Sequence, residues 1–234
     1  MTFNARRLNK EDLDLPCQEL AIYLLGKVLV RKLEDDTILK GRIVETESYL
    51  GGEDKASHSF NGRRTSSNEP MYMPVGTCYV YFTYGMYHCF NISSRESGAA
   101  VLLRALEPFQ GVEIMEKFRS NRNKSKQAVR KKIKTSKLCD GPSKLCISFD
   151  ITKENSNKID LTDPENDSLW LEDDPDHPDW DRKEMKIVKS ARIGINRAEE
   201  WNSKPLRFYV LNNESVSKRD KMAEMMIEND ENVE

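Results

Sequence analysis

No stretch of this sequence is apolar over the ~20 residues that a membrane-spanning helix needs, and neither cysteine nor histidine is spaced to build a site. The five cysteines, Cys17, Cys78, Cys89, Cys139 and Cys146, are an odd number without a CxxC pair, which argues against a disulfide framework. The three histidines, His58, His88 and His177, lie far apart with no HxxxH spacing. Neither a structural zinc site nor any other metal or cofactor is therefore expected. The first residues hold no apolar stretch with a basic lead and a cleavage signal. An intracellular protein with reduced thiols is expected, nuclear in a eukaryote and cytoplasmic otherwise. An excess of positive charge is also missing: 37 Lys and Arg nearly cancel 39 Asp and Glu, for a formal charge of -2. Taken globally, that balance argues against a nucleic-acid partner.

The average hides an asymmetry. Between Lys117 and Lys137 the chain carries ten basic residues, Arg130, Lys131, Lys132 and Lys134 among them, and no acid. The acids gather in residues 160–183 and again beyond residue 222. With 234 residues and 38% hydrophobic content, the chain can bury one core. We expect one domain over residues 1–221, with a basic loop at about 119–137, an acidic loop at about 160–183 and an acidic, disordered tail at 222–234.

Pattern reading gives a helix over residues 16–25, opened by Pro16 and closed by Gly26. It gives strands over 27–33, 38–49 and 99–106, and late strands over 186–195 and 205–211. Residues 110–118 and 143–149 read as helices, and 50–74, rich in Gly, Ser, Asn and Arg, as a functional loop. The aromatic, β-branched run over 77–93 around Gly85 reads as a hairpin. A two-residue loop would put Tyr81 and Asn91 on opposite faces of the ribbon. A three-residue loop, Tyr84 to Met86, pairs position 79 with 91 and 81 with 89, and is the preferred reading. The sum is a single mixed α+β domain with a curved, largely antiparallel sheet, flanking helices and a protruding hairpin.

Three features carry chemistry. Arg104 interrupts an apolar strand, where a charge needs a partner or a wet cleft, and a buried salt bridge is the plainer reading. Glu45, Glu47 and Tyr49 fall on one face of their strand by its two-residue period. Tyr84 sits at a hairpin tip, where a large ring is hard to bury within the chain and an exposed one points to a partner. The neighbouring Tyr79, Tyr81, Phe82 and Tyr87 could equally be core.

The segments GRIVETESYLGGEDKASHS (41–59), GTCYVYFTYGMYHCFNISS (76–94), AVLLRALEP (100–108), GPSKLC (141–146) and KPLRFYV (204–210) together resemble the alkyladenine, or methylpurine, DNA glycosylase family. The likeness runs from about Arg7 to Tyr209 in one order. It implies a monofunctional glycosylase that flips alkylated or deaminated purines (3-methyladenine, 7-methylguanine, hypoxanthine, ethenoadenine) out of duplex DNA. The enzyme would hydrolyse the N-glycosidic bond and leave an abasic site. Residue by residue, the resemblance makes Glu47 the general base and Arg104 the residue that positions it and its water. Tyr49, His58 and Tyr81 become contacts of the flipped base, Asn91 a screen against guanine, and Tyr84 the side chain that inserts into the duplex. Lys144, Arg130, Lys131 and Lys132 are candidates for phosphate contacts. The basic loop, the acidic stretch 173–181 and the tail beyond Val210 depart from the family pattern.

The expected partner is double-stranded DNA bearing damaged purines, met by a monomer and not by a membrane protein. A non-catalytic module binding damaged DNA or RNA could use the same aromatic face, but would need neither Glu47 nor Arg104.

Overall fold

The computed structural model describes residues 5–121, 132–174 and 185–230. Among them eight strands make one sheet: β1 (Val28–Lys32), β2 (Ile38–Tyr49), β3 (Cys78–Thr83), β4 (Tyr87–Ser93), β5 (Ala100–Gln110), β6 (Leu169–Glu172), β7 (Ile187–Ser190) and β8 (Arg207–Val210). The strand order is β3-β4-β5-β2-β1-β6, with β8 paired to β2 and β7 to β8, every pairing antiparallel. Six α-helices accompany it: α1 (Lys10–Leu13), α2 (Cys17–Tyr23), α3 (Val112–Asn121), α4 (Pro142–Ser148), α5 (Lys153–Ser156) and α6 (Lys221–Asp230). The fold is the α+β class expected from the sequence. No helix among the described residues is long and apolar enough to cross a membrane.

The two faces of β2 divide core from site. Thr46 donates its hydroxyl to Ala21 O at 2.8 Å and Ser48 to Cys17 O at 3.3 Å, so these side chains lie under α2. There Leu20 and Ala21 of α2 join Val101 and Leu103 of β5 in the main core. Each fully buried leucine contributes about 1.5–3 kcal/mol. Glu45, Glu47 and Tyr49 take the other face, as the strand period requires. The register with β5 shifts between Ile43 and Glu45, and again between Glu45 and Thr46. At the second shift Glu45 pairs with Ala105 and Thr46 with Leu103, leaving Arg104 as the extra residue of a bulge. Bulges re-aim side chains, and this one turns Arg104 toward the two glutamates.

Four expectations are revised. The strand read over 99–106 continues to Gln110, because Pro108, which cannot donate to the ladder, falls beside a register shift. The strand read over 186–195 stops at Ser190, since the chain then turns inward at Arg192 and passes Gly194 at φ 83°. The acidic loop contains β6, paired along β1. The segment from Met222, read as a disordered tail, is helical to Asp230. Asp220 accepts from the Ala223 N–H at 3.2 Å at its start, and Ala223 and Ile227 pack on the core.

Candidate active site

A cavity of about 400 Å³ opens on the Glu47 face of the sheet, within the range of small-molecule sites. β2 contributes Tyr49, the following loop His58, and the β3–β4 ribbon Tyr79, Tyr81 and Asn91. Arg104 of β5 and Ile193 of the loop after β7 close it from the other side.

Its floor is a buried charge cluster. Glu47 is completely buried, and three residues of the lining hold its carboxylate. The Tyr49 hydroxyl donates to Oε2 at 3.0 Å, the Ile193 N–H donates to Oε1 at 2.7 Å, and Arg104 Nη1 lies 3.2 Å from Oε1. Arg104 is forked: its Nε donates to Glu45 Oε1 at 3.0 Å. Glu45 takes a second arginine, Arg207, at 2.9 Å, and both the N–H and hydroxyl of Ser217, at 2.7 and 2.9 Å. Two carboxylates and two guanidinium groups thus balance out of water, which a buried cluster requires.

Burial raises the Glu47 pKa, against the lowering effects of Arg104, the Ile193 N–H and Tyr49; the negative charge of Glu45 adds to the rise. Burial also opposes the Arg104 charge, but the carboxylates of Glu47 and Glu45 outweigh it and its pKa is raised. Each oxygen of the Glu47 carboxylate thus accepts one hydrogen bond, and Arg104 adds an ion pair at Oε1.

The walls are aromatic. His58 packs edge-on to Tyr81 with centroids 4.7 Å apart, and its Nδ1 is 2.8 Å from the Tyr79 hydroxyl. His58 reaches solvent at the cavity mouth, yet the surrounding rings desolvate it and Arg63 adds to the effect, so its pKa is lowered and the ring is neutral near pH 7. The ribbon pairs Tyr79 with Asn91 and Tyr81 with Cys89 across the three-residue loop. Asn91 is buried and donates from Nδ2 to Tyr79 O at 3.0 Å. That bond pins its amide at the cavity wall.

A family model described as methylpurine-DNA glycosylase matches residues 11–214. The DNA-3-methyladenine glycosylase of Mus musculus is 49% identical over 220 residues, 94% of this chain and 64% of the mouse protein. That of Homo sapiens is 49% identical over 218 residues, 93% of this chain and 70% of the human protein. This chain belongs to the methylpurine-DNA glycosylase family. It spans about two thirds of the length of these two relatives.

The resemblance read from the sequence singled out Glu47, Arg104, Tyr49, His58, Tyr81 and Asn91, and the fold of this methylpurine-DNA glycosylase family member puts five of them in the lining of one cavity and Glu47 buried in contact with Tyr49 and Arg104. Tyr84 borders the same cavity from the ribbon tip, 85% exposed and with φ 52°, between Phe82 and Met86, each about half exposed. Lys144 lies in α4 two residues beyond Pro142, which lines the cavity. Its Nζ meets Asp140 at 2.7 Å, and Lys137 meets the other Asp140 oxygen at 3.2 Å. Lys132 is exposed. Arg130 and Lys131 lie outside the described residues.

Sequence reasoning missed Tyr79, Ile193, Arg207 and Ser217 as parts of the site, and Arg192 and Asp54 as a buried ion pair beside it. The run SARIG (190–194), where an arginine follows small residues at a strand end and precedes Gly194, is the one signal that could have drawn notice to Arg192. A backbone donor such as the Ile193 N–H leaves no trace in residue type.

Proposed function

We propose that the protein is a monofunctional DNA glycosylase that extrudes damaged purines from duplex DNA and hydrolyses their N-glycosidic bond, leaving an abasic site. The observation that carries this reading is Glu47: a wholly buried carboxylate held by the Tyr49 hydroxyl, the Ile193 N–H and Arg104 beneath an aromatic cavity. Cleavage of the bond between C1′ and the base nitrogen builds oxocarbenium character on the sugar. A carboxylate below C1′ stabilises that charge and takes a proton from the incoming water. Water adds its oxygen to C1′, the base leaves with the bonding electrons, and Glu47 holds the water's proton. Arg104 favours the ionised form of Glu47 against its burial and fixes its orientation, being bound to Glu45 as well.

Alkylation at N3 or N7 makes the purine cationic, which improves it as a leaving group and favours stacking on tyrosine faces. Tyr49, Tyr81 and the neutral His58 ring form such a wall. Tyr84 enters the space in the duplex left by the extruded nucleotide, offsetting part of the unstacking cost. Lys144 and the basic segment meet phosphates. Substrates extend from 3-methyladenine and 7-methylguanine to neutral hypoxanthine and ethenoadenine, and the protein acts on intracellular DNA as a monomer. Incubating the purified protein with an inosine-containing duplex, then cleaving with alkali, tests this reading. Alkali-labile abasic sites at the lesion are expected, with no strand cleavage before alkali. Retention of the duplex without excision would make the protein a binder only.

A further inference from the structure

One ion pair near the cavity lies outside the mechanism above. Arg192 and Asp54 are 138 residues apart in the chain, and their side chains are wholly shielded from solvent. Arg192 Nη1 and Nη2 donate to the two Asp54 oxygens at 2.6 and 2.8 Å, and Nη1 also donates to Ser48 O at 2.8 Å. The guanidinium carbon lies 4.7 Å from the centroid of the Tyr49 ring, which itself lines the cavity. Asp54 in turn accepts from the Leu50 N–H at 3.0 Å and the Ala56 N–H at 3.0 Å.

The pair therefore fastens together the two loops that face each other across the site. One follows β2 and carries Ala56 and His58. The other follows β7 and carries Ile193, whose N–H is on Glu47. A bidentate arginine fork fixes direction as well as distance. Placing two charges out of water is costly, and such pairs are weak evidence for stability. What this pair does is hold a backbone donor and an aromatic ring against one carboxylate.

We propose that Arg192 is a positioning residue for the glycosylase reaction: bound to Asp54 and Ser48, it holds the Ile193 N–H on Glu47 and backs the Tyr49 ring. The inference rests on the function proposed above. Of the other charged and titratable groups around Glu47, the Tyr49 ring rests on Arg192 and the rest are held by other partners. These groups are Tyr49 and Glu45 on the strand of Glu47 itself, Arg104 from β5, Tyr81 from β3, Cys89 from β4 and Arg207 from β8. Arg207 also donates to Ala191 O at 2.9 Å, so the loop keeps its root. Loss of Arg192 frees Ile193 while leaving the cluster below it intact. With one lowering contact removed, the Glu47 pKa rises further and the ionised fraction falls in acid.

The test is the pH dependence of single-turnover excision from a duplex containing 7-methylguanine, whose cationic base leaves without needing a proton. The double variant Arg192→Met/Asp54→Asn removes both charges together, so no unpaired buried charge remains. Its acid limb should move up by about one pH unit, with the rate converging on that of the wild type at high pH and any loss of lesion-duplex affinity from the Tyr49 ring the same at every pH. Arg192→Lys, which keeps the charge but cannot span both Asp54 oxygens and Ser48 O, should shift the limb the same way by less; it also supplies the measurement if the double variant does not fold. An acid limb unmoved in the folded variants, or a rate lowered equally at every pH, would overturn the proposal while leaving the glycosylase reading standing. Failure of the wild type to excise would overturn both.

Discussion

The floor of the cavity, on β2, β5 and β8, and the tip of the β3–β4 ribbon are built on opposite principles. The floor is charged yet hidden: Glu45, Glu47, Arg104 and Arg207 are all buried and bonded to one another. The tip is apolar yet open, with Tyr84 at 85% exposure beside Phe82 and Met86. Each arrangement costs the free protein something. Buried charges pay desolvation, and exposed rings forgo the gain of burial. On the proposed function the two costs are recovered in different places: that of the floor in the chemistry, through a carboxylate held ready, and that of the tip in binding, when its ring is covered by DNA. Changes at the floor should then act on rate and changes at the tip on affinity.

The largest separation is expected from Glu47→Gln, which keeps the shape of the side chain and its acceptor oxygen but removes the base. Single-turnover excision should fall by about 10²–10⁴-fold, while lesion-duplex Kd stays near that of the wild type. Stability supplies a second check with a definite sign. Burial raises the folded-state pKa of Glu47 above its unfolded value, so its contribution is favourable below the unfolded pKa and is lost as pH rises through the folded one. At neutral pH the ionised side chain carries that desolvation cost, but it also balances Arg104, and Gln leaves that buried guanidinium one carboxylate short, so the variant should melt below the wild type.

Next in size is Tyr84→Ala. With 85% of the residue exposed, its loss should leave Tm unchanged and weaken binding to lesion-containing duplex roughly tenfold, about 1.4 kcal/mol. Binding to a single strand, which has no gap to fill, should weaken less. Equal losses on both, or a fall in Tm, would make the tip a packing element and erase the contrast with the floor.

The smallest effect belongs to Asn91, which stands between the two regions. Its Nδ2–H bond to Tyr79 O fixes the amide at the cavity wall, where it can exclude the 2-amino group that distinguishes guanine from adenine and hypoxanthine. Asn91→Ser should raise excision of 7-methylguanine relative to hypoxanthine by a few-fold. If the side chain serves only the ribbon's backbone, both rates will fall together and the ratio will hold.

Much of the floor was legible because it obeys strand periodicity. Glu45, Glu47 and Tyr49 had to share a face, and Arg104 in an apolar run had to find a partner. The ribbon register was legible too, since a three-residue loop fixes which of positions 79, 81 and 91 align. What escaped notice depended on distant parts of the chain. The Arg192–Asp54 pair joins segments that no local pattern connects, and the Ile193 N–H is a backbone group. Reading 186–195 as one strand hid the loop that carries both. Composition misled at the C-terminal end, where acids masked an Asp220 cap and an Ala223–Ile227 pair at helical spacing. It misled likewise in the acidic loop, where Leu169 and Leu171 bury a short strand against β1.

On the proposed mechanism, ionisation of the buried Glu47 limits the reaction from the acid side. The most direct measurement is the pH dependence of single-turnover excision of 7-methylguanine by the wild type, beside the residual activity of Glu47→Gln. Because burial raises the Glu47 pKa, the wild-type rate should climb with pH through a single ionisation lying above the ordinary glutamate range, and the residual activity of the variant should lack that limb. A wild-type rate already flat throughout that region, or a limb that survives in Glu47→Gln, would contradict the account.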